Sequence, residues 1–293
     1  MSLRAIKPTL IKKRLKALFY GAAGCGKTTA SISFPKPYLI DTERGAENTQ
    51  YTEKLKKSGG VIFQTSDFDE LVTEVKSLLT EKHDYKTLII DPLTTLYNDL
   101  LEKSAKARIT PNDPDGTAFG GHYGAANKRI KHLLALLLRL DMNVIITTHS
   151  KNEYGNNLSV LGQTFDCYKK LDYLFDLVFE IQKRGQDRIG IIKKTRIEGF
   201  TDTEQFPFCY DEIAKRYGKE ILERDAVAEV LATKEQVERL DDLIELYKEP
   251  AETVQKWLDK ANAETFEEMN ESIIVKLIAH MENKAISKPK GDK

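Results

Sequence analysis

The chain has 293 residues, 41% of them hydrophobic, with 45 Lys/Arg balancing 45 Asp/Glu. That length fits one large domain, or a core with a small appendage, and buries a real core. The three cysteines are odd in number and far apart, which excludes a disulfide framework or a zinc cluster. The longest greasy stretch, Leu133 to Leu138, is too short to span a bilayer.

The charge is uneven. Residues 1–210 hold 31 Lys/Arg against 25 Asp/Glu, residues 211–283 hold 10 against 19, and the last ten hold four lysines and one aspartate. A mildly basic body is compatible with nucleic acid, and equally with solvated faces. The first sixteen residues carry six cations and no acid, but no apolar run follows, so a secretory leader is not expected. Reduced cysteines and no membrane segment point to the cytoplasm.

In chain order, residues 1–14 read as a basic leader. Residues 16–20 are a buried strand, followed by Gly21-Ala22-Ala23-Gly24-Cys25-Gly26-Lys27-Thr28-Thr29 and a helix over 27–33. The pattern G-x-x-x-x-G-K-S/T in a strand–loop–helix context is the phosphate-binding loop of nucleotide triphosphatases. Its glycines curl the backbone so that successive N–H groups form an anion nest. Lys27 reaches the β- and γ-phosphates, and the Thr28 hydroxyl ligates Mg²⁺.

Residues 37–41 read as a second strand, 44–60 as irregular, and 61–64 as a short strand. A helical face runs over 67–80, a strongly apolar strand over 87–91 and a helix over 93–108. Residues 109–121 form a loop dense in turn residues. A helix over 123–140 and a strand over 143–148 follow. Residues 150–168 look loop-like, and 174–182 with 188–196 alternate as a hairpin about Gly185. Short amphipathic helices follow from 211, over 211–217, over 219–231 and behind capping boxes at Thr233 to Gln236 and Thr265 to Glu268. Residues 284–293 are expected to be disordered.

These elements predict an α/β fold: a mainly parallel sheet with an antiparallel hairpin at one edge and a small C-terminal helical appendage. The expected divisions are 1–14, 15–210, 211–283 and 284–293.

Asp91, 64 residues past Lys27, ends a strand that fits beside the loop and would hold a water on Mg²⁺. Pro92 follows it, so the AAA+ arrangement, with glutamate directly after that aspartate, is excluded. The chain resembles the RecA family, in which the glutamate that polarises the attacking water follows the second strand, here as Glu43. The resemblance covers residues 12–210 and is closest to compact RecA-like ATPases of bacteriophages, associated with recombination and single-strand annealing. It implies ATP and Mg²⁺, with His149 or Thr148 sensing the γ-phosphate. Lys194 and Arg196 match the K-x-R pair that reaches a neighbouring subunit's site in a homo-oligomer. Glu47 and Tyr51 are the nearest candidates for the adenine.

Two loops of that family bind single-stranded DNA. They correspond to 108–121, with Arg108 and then His122 and Tyr123, and to 150–170, with Lys151, Asn152, Tyr154, Lys169 and Lys170. A single-strand binding or annealing protein would be a partner. The alternative is a nucleotide-gated adaptor that docks a partner through its acidic helical tail.

Overall fold

The computed structural model describes residues 13–155 and 159–287, so the leader up to residue 12 and the tip from 288 lie outside the described residues. The described chain divides into two compact units.

The first unit comprises residues up to Ser66, Asp84–Leu96 and Met142–Ala226. Its centre is β1 (Lys16–Tyr20), buried along its whole length. Parallel strands covered on both faces read as continuous apolar runs. So do β2 (Pro37–Asp41), β4 (Thr87–Asp91) and the first half of β5 (Asn143–Tyr154). With β3 (Val61–Gln64), β7 (Leu177–Arg184), β8 (Asp187–Thr195) and β9 (Gln205–Pro207), the sheet order is β3-β2-β4-β5-β1-β7-β8-β9. Pairing is parallel from β3 to β7 and antiparallel from β7 to β9. This mainly parallel sheet with an antiparallel edge is the fold class expected.

Aromatic rings fill one side of it. Phe19 packs edge-on against Phe179 and Phe208, at 5.6 Å and 4.9 Å between ring centroids. Ile213, Ala214 and Leu222 join the same cluster. They sit on α6 (Tyr210–Tyr217) and α7 (Lys219–Leu222). Asn143 Nδ2 donates to the Leu222 carbonyl (2.8 Å), and Arg14 donates to the carbonyls of Ile221 and Asp225. The first unit therefore runs on to Ala226, where the sequence placed a boundary at 210. Arg14, assigned to the basic leader, is itself buried.

The second unit comprises Asp67–His83, Tyr97–Asp141 and Val227 onward. It holds α3 (Phe68–Thr80), most of α4 (Leu93–Lys106), α5 (His122–Arg139), α8 (Lys234–Tyr247), α9 (Ala251–Ala261) and α10 (Glu271–Ser287). Asp67 caps α3 by accepting from the N–H groups of Asp69 and Glu70. Thr233 and Gln236 form the expected capping box. Leu240, Leu243, Met269, Ile274 and Met281 make the core of the C-terminal helices.

Several local expectations are corrected. Residues 44–60 contain α2 (Thr49–Ser58), whose sparse apolar positions bury only Leu55, so little periodicity shows. The stretch 150–168 is not a loop: β5 runs on to Tyr154 and pairs with β6 (Val160–Asp166) as an antiparallel arm. The helix expected over 219–231 stops at Leu222. Thr265 opens only a 3-10 turn, because the Glu268 carboxylate is taken up by the Glu264 N–H and by Lys76. The helix begins at Glu271 behind Asn270, whose side-chain oxygen accepts from the Ser272 N–H. It continues through Ser287, so residues 284–287 are helical rather than part of a loose tail.

Candidate active site

The phosphate loop leaves the buried end of β1. Gly26 takes φ 99°, a conformation that side chains with a Cβ rarely adopt. Lys27 folds back over the loop, its Nζ donating to the carbonyls of Gly21 (2.8 Å) and Ala22 (3.1 Å).

The Thr28 hydroxyl lies near enough to the Asp91 carboxylate to favour its charged form. Asp91 is 9% exposed and also accepts from the Thr147 hydroxyl on β5. Burial pushes its carboxyl above the ordinary range, against the pull of Thr147, Thr28 and Lys27. Among the described residues no group of three or more His, Cys, Asp or Glu side chains forms a metal cage. One hydroxyl and one carboxylate, leaving room for water and substrate phosphates, fit magnesium rather than calcium or zinc.

Glu43 stands on the turn after β2, and that turn is held tightly. The Asp41 carboxylate accepts from the N–H groups of Glu43 (3.3 Å), Gly45 (3.2 Å) and Ala46 (2.9 Å). Thr42 donates its N–H to the Asp91 carbonyl and its hydroxyl to the Pro92 carbonyl. The Glu43 carboxylate accepts from the Thr95 hydroxyl and lies 3.2 Å from His149 Nε2. The His149 N–H donates to Thr94 Oγ1 (2.9 Å), which donates to the Asp166 carbonyl (2.7 Å). Glu43 thus reaches across β4 to the middle of β5, the strand beside β1.

The structure therefore groups Lys27 and Thr28 with Asp91, and Glu43 with His149. Sequence reasoning missed Asp41, Thr94, Thr95 and Thr147. Asp41 and Thr147 lie towards the C-terminal ends of apolar runs, and Thr94 and Thr95 in the first turn of α4. Thr147 is the hydroxyl that meets Asp91, whereas the Thr148 hydroxyl is buried with no hydrogen-bond partner among the described residues.

Glu47 is not brought to the loop. Glu47 accepts from Gln64 Nε2 (3.0 Å) at the end of β3. β3 stands four strand positions from β1, about 19 Å at the usual interstrand spacing. Tyr51 packs against the core. Lys194 and Arg196 also stand away from their own phosphate loop. Lys194 lies opposite Val178, which pairs with Leu18, and the Arg196 N–H donates to the Asp176 carbonyl just before β7 begins. That is the end of the sheet remote from Gly21. Lys194 Nζ donates to the carbonyls of Asp172 and Phe175, and Arg196 donates to that of Tyr173 (2.9 Å). Burial lowers the Lys194 pKa, with the charge of Arg196 adding to it.

Of the candidate DNA contacts, Lys151 pairs with Asp166 (2.9 Å) along the β5–β6 arm, and Lys169 and Lys170 are exposed. Arg108 lies against Gly121, where a Cβ would meet its guanidinium at 2.2 Å.

A family model described as an AAA domain matches residues 13–207. The chain belongs to this AAA domain family. Within it, this AAA domain carries proline after Asp91 and its candidate glutamate after β2. A crystal structure of the RadB recombinase is similar at 17% identity and a TM-score of 0.41, over 65% of this chain and 84% of that one. No curated protein matches the chain. Among the described residues no helix is long and apolar enough to cross a membrane.

Proposed function

We propose that this AAA domain is a magnesium-dependent, RecA-like ATPase acting on single-stranded DNA in recombination or strand annealing, as in bacteriophages. The observation that carries the ATPase reading is the placement of Glu43 against His149 and Thr95, beside the Thr28–Asp91 pair.

The residues divide the work. The loop backbone and Lys27 bind and neutralise the polyphosphate. Thr28 and Asp91 would hold magnesium, which supplies charge stabilisation at the phosphates. Glu43 takes a proton from the attacking water, and His149 and Thr95 aim its carboxylate. Lys194 and Arg196, remote from their own loop, act on a neighbouring copy in a homo-oligomer. Arg108, Lys151, Lys169 and Lys170 contact the DNA backbone. The protein works in the cytoplasm, with a single-strand binding or annealing protein as a partner.

Glu43→Gln tests this. ATP binding should persist while turnover falls by roughly 10²–10⁴-fold; full activity removes Glu43 from the mechanism. Single-stranded DNA should raise the wild-type rate, and no response at any DNA concentration counts against the DNA assignment.

A further inference from the structure

The β7–β8 hairpin presses on the phosphate loop at two points. The Ile181 carbonyl oxygen lies 2.3 Å from where a Cβ on Gly21 would stand. The Arg188 side chain lies against Gly26, with Nε 2.9 Å and Cδ 3.1 Å from the corresponding Cβ position. Glycine is used where a ligand must come close to backbone, and Arg188 occupies the side of Gly26 that the missing side chain leaves open.

The register explains how Arg188 gets there. β7 runs parallel to β1, with Tyr20 opposite Glu180. Arg188 pairs with Lys183, three residues further along β7. The start of β8 therefore stands at the loop end of the sheet, and Lys194 at the other. The root of Arg188 is fixed, because its carbonyl accepts from the Phe208 N–H (2.7 Å) and Phe208 packs on Phe19 and Phe179.

Arg188 as a residue is half-buried, but its guanidinium sits in exposed hydrogen bonds and has no carboxylate partner among the described residues. NH1 donates to the carbonyls of Gln186 (3.2 Å) and Asp187 (3.3 Å), both in its own turn. A guanidinium has five N–H donors in a planar fork suited to phosphate oxygens. A cation held over the phosphate loop without a carboxylate to neutralise it is placed for an anion.

We propose that Arg188 contacts the polyphosphate of a bound nucleoside di- or triphosphate from within its own subunit, beside Gly26. This rests on the nucleotide-binding reading above. Arg188 would act as a directional fork where Lys27 acts as a point charge. It would also make the β7–β8 hairpin part of the nucleotide site.

The test is displacement of a fluorescent ADP analogue from the full chain by ATP, ADP and inorganic tripolyphosphate. It compares wild type, Lys27→Ala, Arg188→Ala and Arg188→Lys. Arg188→Ala should weaken ATP and tripolyphosphate alike by roughly 10–100-fold, with an unchanged thermal midpoint. Arg188→Lys should recover only part of the loss. Arg188→Gln, which keeps most of the stem, gives the same readout if the alanine variant loses its fold. Binding within twofold of wild type, or tighter, overturns the proposal. So does a loss for ATP that spares tripolyphosphate, which would assign Arg188 to the nucleoside. Wild-type chain that binds no nucleotide overturns the underlying reading too, whereas normal wild-type binding with an indifferent Arg188→Ala overturns this proposal alone.

Discussion

His149 Nε2 lies 3.2 Å from the Glu43 carboxylate, although the two residues come from strands separated by β4. The pair forms because Thr42 ties the β2 turn to β4, and Thr94 ties the middle of β5 to the start of α4. Under the proposed mechanism the imidazole positions Glu43. His149→Ala should therefore lower ATP turnover by about 10-fold while leaving ATP affinity within twofold, and His149→Asn should restore part of the rate. Single-turnover kinetics beside equilibrium binding separates the two effects. An unchanged rate would show that Thr95 alone orients the carboxylate.

Asp41 supports the same glutamate from below. It is 3% exposed and accepts three backbone N–H bonds. Asp41→Ala leaves those donors without their acceptor, at a cost of about 1–3 kcal/mol for each that water cannot reach. The denaturant midpoint should fall. Turnover should drop with it at temperatures where the fold is intact, because the Glu43 turn loses its anchor. Asp41→Asn keeps one acceptor oxygen and should fall between the two. A variant with wild-type turnover would show that the Thr42 bonds alone hold the turn.

How much of this was legible follows from what each residue must satisfy. Gly21 to Thr28 and the apolar strand ending at Asp91 carry local patterns whose chemistry demands particular residues in sequence. Glu43 was legible as the glutamate after the second strand. Thr95 and His149 as its partners were not, because only the sheet order 2-4-5 brings them together. α2 hid for a different reason, burying one side chain per ten residues. The β5–β6 arm carries exposed Tyr154, Val160 and Leu161, so it lacks the alternation that marks a half-buried strand. Arg188 carries no motif, and its meaning comes entirely from the hairpin register.

The cysteines should separate by reactivity. Burial pushes the Cys167 thiol up to about 12, so almost none is thiolate at pH 8. Cys209 is exposed. Iodoacetamide at pH 8 should therefore label Cys209 first and leave Cys167 unlabelled until denaturant is added, as read by mass mapping. Fast labelling of Cys167 under native conditions would mean that the turn after β6 opens.

The helical unit is tied together by one half-buried cation. Arg139, at the end of α5, pairs with Glu229 (2.9 Å) and donates to the Glu268 carbonyl (2.7 Å). The Arg139 and Glu229 side chains are 10% and 18% exposed. Removing one partner of a fully buried pair costs about 3–5 kcal/mol, and this partly exposed pair should cost the lower end of that or less. Arg139→Ala should destabilise this unit by that order, and Arg139→Met with Glu229→Gln should regain part of it. A cut after Ala226 removes Glu229 and Glu268 together, leaves Arg139 without either, and should have at least the effect of the single substitution. A cut after residue 210 is a poorer test of the C-terminal segment, because it also strips Ile213 and Leu222 from the core of the sheet. Comparing ATP binding and unfolding for the two truncations separates the contribution of α6 and α7 from that of the helices beyond Val227. Equal stability of both would show that Ile213 and Leu222 add nothing to the sheet.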